Sequence, residues 1–189
     1  HVDTCLVTGN HADNGHGAGI GLQAVDAGSV IDFTMESSRV SENIVVFYYG
    51  GGIMLSAHHA GAINATLTNS IVADNSALWG GGFFIETDST PAAPGTIHLF
   101  LTNTTVTKNN AWRYSYYGGG EGGGLLINGM SGTFHATFKN TILWGNTASN
   151  APTSDLFLDR TAGGTLAVTA SYSNVGNVFN EPTEPAEYA

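Results

Sequence analysis

The sequence predicts an all-β solenoid, in which the chain winds through stacked turns of short strands, and two repeating patterns predict it. An Asn closes the phrase V-x-x-N or L-x-x-N about every 34 residues. A small polar residue precedes each of these positions at a fixed distance. The first series is Asn10, Asn43, Asn75, Asn109 and Asn146, with a looser copy at Asn177, and the second is Thr4, Ser37, Asn69, Asn103, Asn140 and Ser171. Two series that keep one period are typical of a stacked structural repeat.

The composition agrees with many short strands and tight turns. Hydrophobic residues make up 42% of the 189 residues, enough for a continuous core, whereas charged residues make up 11%, against about a quarter in an average domain. The 26 glycines are about twice the usual share. This profile disfavours a helical bundle and a disordered segment. The formal net charge of −10 argues against nucleic acid and anionic membranes as partners.

The repeats set the expected domain organisation. Residues 1–178 form the solenoid, and residues 179–189 read as an acidic, Pro-containing tail or linker. No apolar stretch has the length of a membrane span, and no signal peptide opens the chain. Because solenoids need capping elements and none is visible at the first residues, we expect a segment of a longer protein, whose further rungs are then one possible partner.

The rungs follow one another with the same internal order: strand, ladder Asn, loop, glycines, strand. Their approximate ranges are 1–28, 29–61, 62–95, 96–132 and 133–164, and a partial rung begins at 165. The fourth rung carries the longest loop, AWRYSYYGGGEGGG, and the fifth lacks the glycine triplet. The chain therefore predicts about five to six rungs.

Period-two alternation assigns the side chains that point inward. After the glycines these are Ile20 and Leu22, Ile53 and Leu55, Phe83 and Ile85, Leu125 and Ile127, and Leu156 and Leu158. The next strand contributes Met35, Leu67, Leu101 and Phe138, and the third contributes Val7, Val40, Val72, Val106 and Leu143. Three inward stripes that repeat once per rung predict three parallel sheets around one core.

The V-x-x-N and G-G-G-[IFL] phrases resemble the F-x-x-N and G-G-A-[ILV] repeats of polymorphic outer-membrane proteins. More widely, they resemble the right-handed, single-stranded parallel β-helix of pectin-lyase-like proteins. The similarity runs from Val2 to about Val178. It implies a right-handed coil, an extracellular or cell-surface location, and a groove over the strand after the glycines in which a polysaccharide lies.

The Asn series have a structural explanation. A buried Asn amide bonds to the backbone of its own rung and to the Asn above and below, and a strand spacing of about 4.8 Å suits this stacking. We assign this ladder role to Asn10, Asn43, Asn75, Asn109 and Asn146 and to Asn69, Asn103 and Asn140. Asn103 is therefore expected to be inaccessible although it opens an N-x-T sequon, and Cys5 is expected to be a small buried side chain.

The outward positions carry the functional hypotheses. In the strand after the glycines, one outward column reads Gly21, Met54, Phe84, Leu126 and Phe157, and the next reads Gln23, Ser56, Glu86, Asn128 and Asp159. The loops beside it hold Tyr48, Tyr49, Trp79, Trp112, Tyr114, Tyr116 and Tyr117. These aromatics and Phe84 form either a binding surface for a glycan or a protein or a local hydrophobic cluster that holds the loops down. The sequence leaves both open.

A catalytic role is the competing interpretation of the same face. Hydrolysis of a glycosidic bond needs two carboxylates, and Glu86, Glu121 and Asp159 are the acids at hand. Glu86 and Asp159 lie two rungs apart, about 9.6 Å along the stack. A lyase would need a base and a carboxylate cluster, which the columns lack. His98 and His135 occupy equivalent positions but have no third ligand, so no metal and no cofactor are predicted.

The sequence leaves three functions open. The first is an extracellular or cell-surface, adhesin-like recognition module for a polysaccharide or for a surface protein of a host or neighbouring cell. The second is an enzyme that degrades polysaccharides in the same groove. The third is a structural spacer, which needs nothing beyond the ladders.

Overall fold

The computed structural model describes residues 1–87, 93–116, 118–129, 131–149, 155–159 and 164–180. Within these ranges the chain is all-β, without a helix, and winds into a parallel β-solenoid of about five turns. Accordingly, no helix in the described part of the chain has the length and apolar character needed to cross a membrane. The predicted fold class is confirmed. The last strand reaches Asn180, two residues beyond the predicted end of the solenoid, and 181–189 lie outside the described residues.

The strands follow one another turn by turn. The first turn has β1 (Val2–Asp3), β2 (Leu6–Thr8), β3 (His11–Ala12) and β4 (Ile20–Ala24), and the second β5 (Val30–Glu36), β6 (Arg39–Ser41), β7 (Ile44–Val45) and β8 (Ile53–Ala57). The third has β9 (Ala62–Thr68), β10 (Ile71–Ala73), β11 (Ser76–Ala77) and β12 (Phe83–Thr87). The fourth has β13 (Thr96–Thr102), β14 (Thr105–Thr107), β15 (Asn110–Ala111), β16 (Arg113–Tyr114), β17 (Gly118–Gly119) and β18 (Leu125–Gly129). The fifth has β19 (Thr133–Lys139), β20 (Ile142–Trp144), β21 (Thr147–Ala148) and β22 (Leu156–Asp159), and the sixth, partial turn β23 (Thr165–Ser171), β24 (Asn174–Val175) and β25 (Val178–Asn180).

Equivalent strands of successive turns pair in parallel. We name the sheets A (β1, β5, β9, β13, β19, β23), B (β2, β6, β10, β14, β20, β24), C (β3, β7, β11, β15, β21) and D (β4, β8, β12, β18, β22, β25). Sheets A, B and D are the three predicted ones. Sheet C was not predicted, because its strands have two residues each and two residues are too few to show an alternation. The fourth turn adds an antiparallel hairpin, β16 with β17.

The inward stripes form a single core, as predicted. Ile53, Phe83 and Leu125 occupy one register position of sheet D, and Met35, Leu67 and Leu101 occupy one position of sheet A. All the predicted inward residues belong to this core or pack against it. Full burial of side chains of this size contributes about 1.5–3 kcal/mol each, so the core supplies most of the stabilisation.

The first Asn series is a buried ladder with one direction. The Nδ2 of Asn43, Asn75 and Asn109 donates to Oδ1 of the next Asn at 2.9, 2.9 and 3.0 Å. The backbone N–H of each donates to that same oxygen. The other Nδ2 proton goes to a carbonyl of the preceding turn, for example Val40 for Asn75. Each buried amide is thus paired, as burial requires, and the predicted ladder is confirmed; Asn10 joins it from the exposed first turn.

A carboxylate ends this ladder. Asp155 is buried, and its Oδ1 accepts from both the backbone N–H and the Nδ2 of Asn146 at 2.8 Å. Its Oδ2 accepts from the backbone N–H of Asn177 at 3.0 Å. The side chain of Asp155 therefore takes the place that a sixth ladder Asn would occupy, and the ladder's last donors meet an anionic acceptor. This explains why the fifth turn departs from the glycine pattern, since Asp155 stands at the position of the third glycine.

The ladder also explains the glycine triplets. A Cβ on Gly52 or Gly82 would lie 2.9 Å from Nδ2 of the ladder Asn in the next turn, and 2.6 or 2.5 Å from the next glycine's carbonyl oxygen. The first glycine of each triplet, for example Gly80 with φ of 66°, has a left-handed backbone conformation that glycine adopts without cost. The last triplet position of the second, third and fourth turns is thus reserved for glycine, because the buried Asn amide of the next turn packs against it.

The second Asn series is a ladder at the surface, not in the core. Asn103 Nδ2 donates to Asn69 Oδ1 at 3.0 Å, and Asn140 Nδ2 donates to Asn103 Oδ1 at 3.1 Å. All three residues are exposed, so the expectation that Asn103 is inaccessible is wrong. They share a left-handed backbone, with φ of 50–51°, which Asn tolerates better than most residues. In the sixth turn this position belongs to Tyr172, one residue after the predicted Ser171.

The residue after each of these Asn positions is the one that is buried. Ser70, Thr104 and Thr141 are buried, and each hydroxyl donates to the carbonyl two residues earlier. Sequence reasoning missed this hydroxyl series because hydroxyls are frequent in the chain and the neighbouring Asn is more conspicuous. In the first turn Cys5 occupies the equivalent position, and its thiol donates to the Asp3 carbonyl. Cys5 is exposed, contrary to prediction, because a strand covers it on one side only.

Replacement of Asn109 by Ala is expected to destabilise the fold strongly. It removes the acceptor of two buried donors of Asn75 and the donor to the Val72 carbonyl, and each buried group left unpaired costs about 1–3 kcal/mol. We expect a loss of roughly 2–5 kcal/mol in the free energy of unfolding in urea. The control is Asn103→Gly, which fits the left-handed backbone and removes only exposed bonds. Equal losses in the two variants would contradict the ladder's role.

Replacement of Gly82 by Ala tests the close packing against the ladder. The added Cβ would lie 2.5 Å from the Gly124 carbonyl oxygen, so we expect a loss of about 3 kcal/mol or no folding. Gly21→Ala is the matched control, because the nearest atom to its Cβ is at 3.7 Å and the change should stay within about 0.5 kcal/mol. Circular dichroism melts of both variants provide the measurement, and a tolerated Gly82→Ala would refute the packing argument.

Candidate functional site

The apolar column on the outer face of sheet D is a second core and not an open face. Met54, Phe84, Leu126 and Phe157 are all buried and in contact, and Phe84 is 2% exposed. Of the two interpretations that the sequence left open, Phe84 therefore fits the covered hydrophobic cluster and not an open surface. Alternation showed correctly that these side chains point away from the main core, but it carries no information on what lies above them.

Aromatic residues of the loops cover this column. The Tyr49 ring stacks on Phe84, with centroids 4.4 Å apart and planes at 19°, and lies 5.0 Å from the Trp79 ring. Parallel bridges link Tyr49 to Trp79 and Trp79 to Glu121, which brings these loops into register. At the last turn Phe179 stacks on Phe157 at 5.2 Å. Tyr49 and Trp79 thus belong to the local hydrophobic cluster that was one of the two sequence interpretations.

Other rings of the same loops remain at the surface. Tyr48 and Tyr114 are exposed, and Tyr116 is 83% exposed. Tyr48 lies 5.0 Å from the His16 ring, and Tyr114 meets Phe47 edge-on at 5.7 Å. We name Tyr48, Tyr114 and Tyr116 the aromatic rim. Tyr117, also predicted to bind a ligand, lies outside the described residues.

The hairpin of the fourth turn holds part of the rim in place. In it Arg113 pairs with Gly119, and Tyr114 pairs with Gly118. Trp112 is half-buried at its base and packs edge-on against Tyr114, with centroids 6.3 Å apart. Phe47, a loop residue of the second turn, contacts the same Tyr114. The longest loop is therefore anchored two turns away from its own rung, and the rim spans several turns.

A polar column runs beside the buried apolar column of sheet D. Gln23, Ser56, Glu86, Asn128 and Asp159 share one register position of sheet D, as predicted. The side chain of Glu86 is 24% exposed. Its Oε1 accepts a hydrogen bond from Ser56 Oγ at 2.9 Å and lies 3.5 Å from His58 Nε2. Sequence reasoning missed His58, for which the available signal was its position two residues after Ser56.

The contacts of Ser56, His58 and Glu86 do not form a nucleophilic triad. Ser56 Oγ lies 2.5 Å from His58 Nε2, and its single proton is already donated to Glu86, so Nε2–H donates to Ser56 Oγ. In a triad the acid orients the imidazole through the other ring nitrogen, whereas here hydroxyl and carboxylate meet the same one. Ser56 is also fully buried. The arrangement instead fixes the orientation of the Glu86 carboxylate.

The predicted catalytic acids do not face one another across a cleft. Glu86 and Asp159 project from the same face of sheet D with Asn128 between them. Glu121 lies in the loop that bridges to Trp79, and its carbonyl accepts from the Gly80 N–H. A catalytic role for these three residues stays a prediction.

The Asn128 side-chain oxygen is buried and has no hydrogen-bond partner in the structure, so a polar acceptor next to Glu86 is unsatisfied.

The surroundings of Tyr49 raise the pKa of its phenol. Burial in the aromatic cluster raises its pKa above 10.0, and the charges of Glu86 and Tyr48 raise it further. Both effects disfavour the phenolate, because burial penalises a charge and Glu86 repels one. The side chain of Glu86 is thus close enough to the cluster for its charge to act on the ring that covers Phe84.

The stacked histidines of sheet A do not extend to a metal site. The rings of His98 and His135 lie 5.3 Å apart with planes at 7°. Among the described residues no three His, Cys, Asp or Glu side chains come together as ligands would.

Comparison of the chain with protein-family models, curated proteins and solved structures gave no match. The resemblance to pectin-lyase-like and polymorphic outer-membrane repeats thus stays a prediction, and the stacked parallel sheets support only the β-solenoid architecture.

Replacement of Tyr49 by Phe is expected to reduce the loss of stability at alkaline pH. Because the pKa is raised in the folded state, the unfolded chain releases the proton first. The wild type therefore keeps this contribution below about pH 10 and loses it as the pH rises through the folded pKa. Urea unfolding between about pH 8 and pH 11 should show a smaller decline for Tyr49→Phe. Tyr172→Phe, at an exposed position, should decline as the wild type does, and equal slopes for all three would contradict the assignment.

Proposed function

We propose that this chain is a recognition module, adhesin-like and extracellular or at the cell surface, that binds a glycan through the aromatic rim. The observation that carries the proposal is the exposure of Tyr48, Tyr114 and Tyr116 on loops that are anchored by half-buried aromatics such as Phe47 and Tyr49. Tyrosine rings combine a flat apolar face with a hydroxyl, which suits the alternation of C–H and O–H groups on a sugar. The anchoring limits the entropy that the loops lose on binding.

The position of the rim supports the same proposal. It lies beside the strand that follows the glycines, where the resemblance to pectin-lyase-like proteins places a polysaccharide. That analogy concerns architecture and adds only support. A surface protein as ligand is the alternative outcome, because exposed tyrosines are also frequent in protein interfaces.

A structural spacer is the second candidate, and one observation favours it. Tyr49 and Trp79 cover the apolar column of sheet D, so this part of the surface needs no ligand. The spacer function does not account for the exposed rings of the aromatic rim. An enzymatic function has less support, because the described carboxylates of the polar column lie on one face of one sheet.

Replacement of Tyr116 or Tyr48 by Ala is expected to weaken glycan binding about ten-fold, as the loss of one stacked ring, about 1.4 kcal/mol, would do. The control is Tyr172→Ala, because Tyr172 is 89% exposed at the junction of sheets A and B and away from the rim. A glycan array followed by titration of the best ligand provides the measurement. Binding that all three variants retain equally would remove the proposal, and failure of the wild type to bind any glycan would favour the spacer.

A further inference from the structure

The charged side chains of the polar column and of the adjoining loop at Glu121 are acidic. The polar column, which runs next to the buried apolar column, carries Glu86 and Asp159, and Glu121 lies in the adjoining loop. The described members of the polar column include no Lys or Arg. Arg113 lies in the rim hairpin and, like Glu121 and Asp159, has an interaction within the protein, and Arg160 lies outside the described residues. A ligand with carboxylates would therefore meet like charge at this face, whereas a ligand with ammonium groups would meet opposite charge.

The orientation of the Glu86 carboxylate is fixed through one of its two oxygens, Oε1. Ser56 and His58 both engage Oε1, and no described residue donates a hydrogen bond to Oε2. The side chain reaches solvent, with 24% of it exposed. A carboxylate that is fixed through one oxygen and open at the other is pre-organised to accept a charge-assisted hydrogen bond from a cation.

A second acceptor at the same level lacks a donor. Asn128 stands next to Glu86 in the register of sheet D, and its Oδ1 is buried without a hydrogen-bond partner. Buried acceptors of this kind are rare in folded proteins. Glu86 Oε2 and Asn128 Oδ1 are therefore two neighbouring acceptor oxygens that each call for an N–H or O–H donor.

The acceptors lie close to the rings that would hold a sugar. Tyr48 lies 6.1 Å from Tyr49, and the Tyr49 ring stacks on Phe84, which is two residues before Glu86 in the same strand. The effect of Glu86 on the phenol of Tyr49 agrees with this proximity. A short oligosaccharide lying on the rim would thus place one of its substituents near Glu86.

We propose that the glycan bound at the rim carries free amino groups, with an ammonium of an amino sugar donating to Glu86 Oε2 while a neighbouring sugar ring stacks on Tyr48. This inference rests on the proposed glycan-binding function and names the class of glycan. It predicts that the binding affinity is highest for an amino-sugar oligomer, lower for a neutral oligomer and lowest for a uronic-acid oligomer. The reason is that the carboxylates at this face attract the first and repel the last.

The test compares three oligosaccharides of equal length: a glucosamine oligomer, its fully N-acetylated form and a galacturonate oligomer. The wild type should bind the glucosamine oligomer roughly five- to ten-fold more tightly than the N-acetylated one, and this preference should shrink as salt is added. Glu86→Gln should abolish the preference, because it removes the charge that distinguishes an ammonium from an acetamide. Glu36→Gln, an exposed acid on sheet A, should behave as the wild type does.

The outcomes separate the two proposals. Equal binding of the amino and N-acetylated oligomers, tighter binding of galacturonate, or a preference that survives in Glu86→Gln would overturn the inference while the glycan-binding function stands. Absence of binding to all three oligomers would overturn both. An unchanged urea unfolding midpoint for Glu86→Gln ensures that a lost preference reflects the carboxylate and not the fold.

Discussion

The buried Asn ladder is the constraint on which the rest of the structure depends. An amide inside an apolar core must find partners for two donors and an acceptor, and here each Asn finds them in the turns before and after its own. A turn can therefore vary in length only if its Asn still meets the next one. The glycines follow from the same requirement, since a Cβ on Gly82 would enter the space of Asn109.

The ladder also determines where the chain is free to change. Between each Asn and the following glycines, the described pairings in register are the two-residue strands of sheet C and the bridges from Tyr49 to Trp79 and from Trp79 to Glu121. The loops around these pairings carry no bonds of the Asn ladder. The fourth turn uses this freedom for a hairpin, β16 with β17. The aromatic rim and the candidate site lie in and next to these loops because that is the part of each turn that the core does not specify.

Sheet D carries two different columns of side chains on its outer face. One column of its outward side chains, with Phe84 at its centre, is covered by Tyr49 and Trp79, while the next column keeps Glu86 partly in solvent. The cover positions the carboxylate at the border of an apolar cluster, where its charge reaches the Tyr49 phenol. The same loops therefore carry rings of two kinds: the inner rings pack on the apolar column, and the outer rings are exposed.

The sequence by itself determined the fold class, the order of the turns, the three inward stripes and the buried Asn ladder, because these depend on periodicity, and periodicity is a property of the sequence. Only the tertiary structure decided which outward residues are covered. Tyr48 and Tyr49 are neighbours of the same type, yet one is exposed and the other stacks on Phe84. The contact of His58 with Glu86 and the role of Asp155 as the ladder's end were also invisible. The first joins side chains of neighbouring turns and the second joins side chains within the fifth turn, and neither spacing follows the repeat.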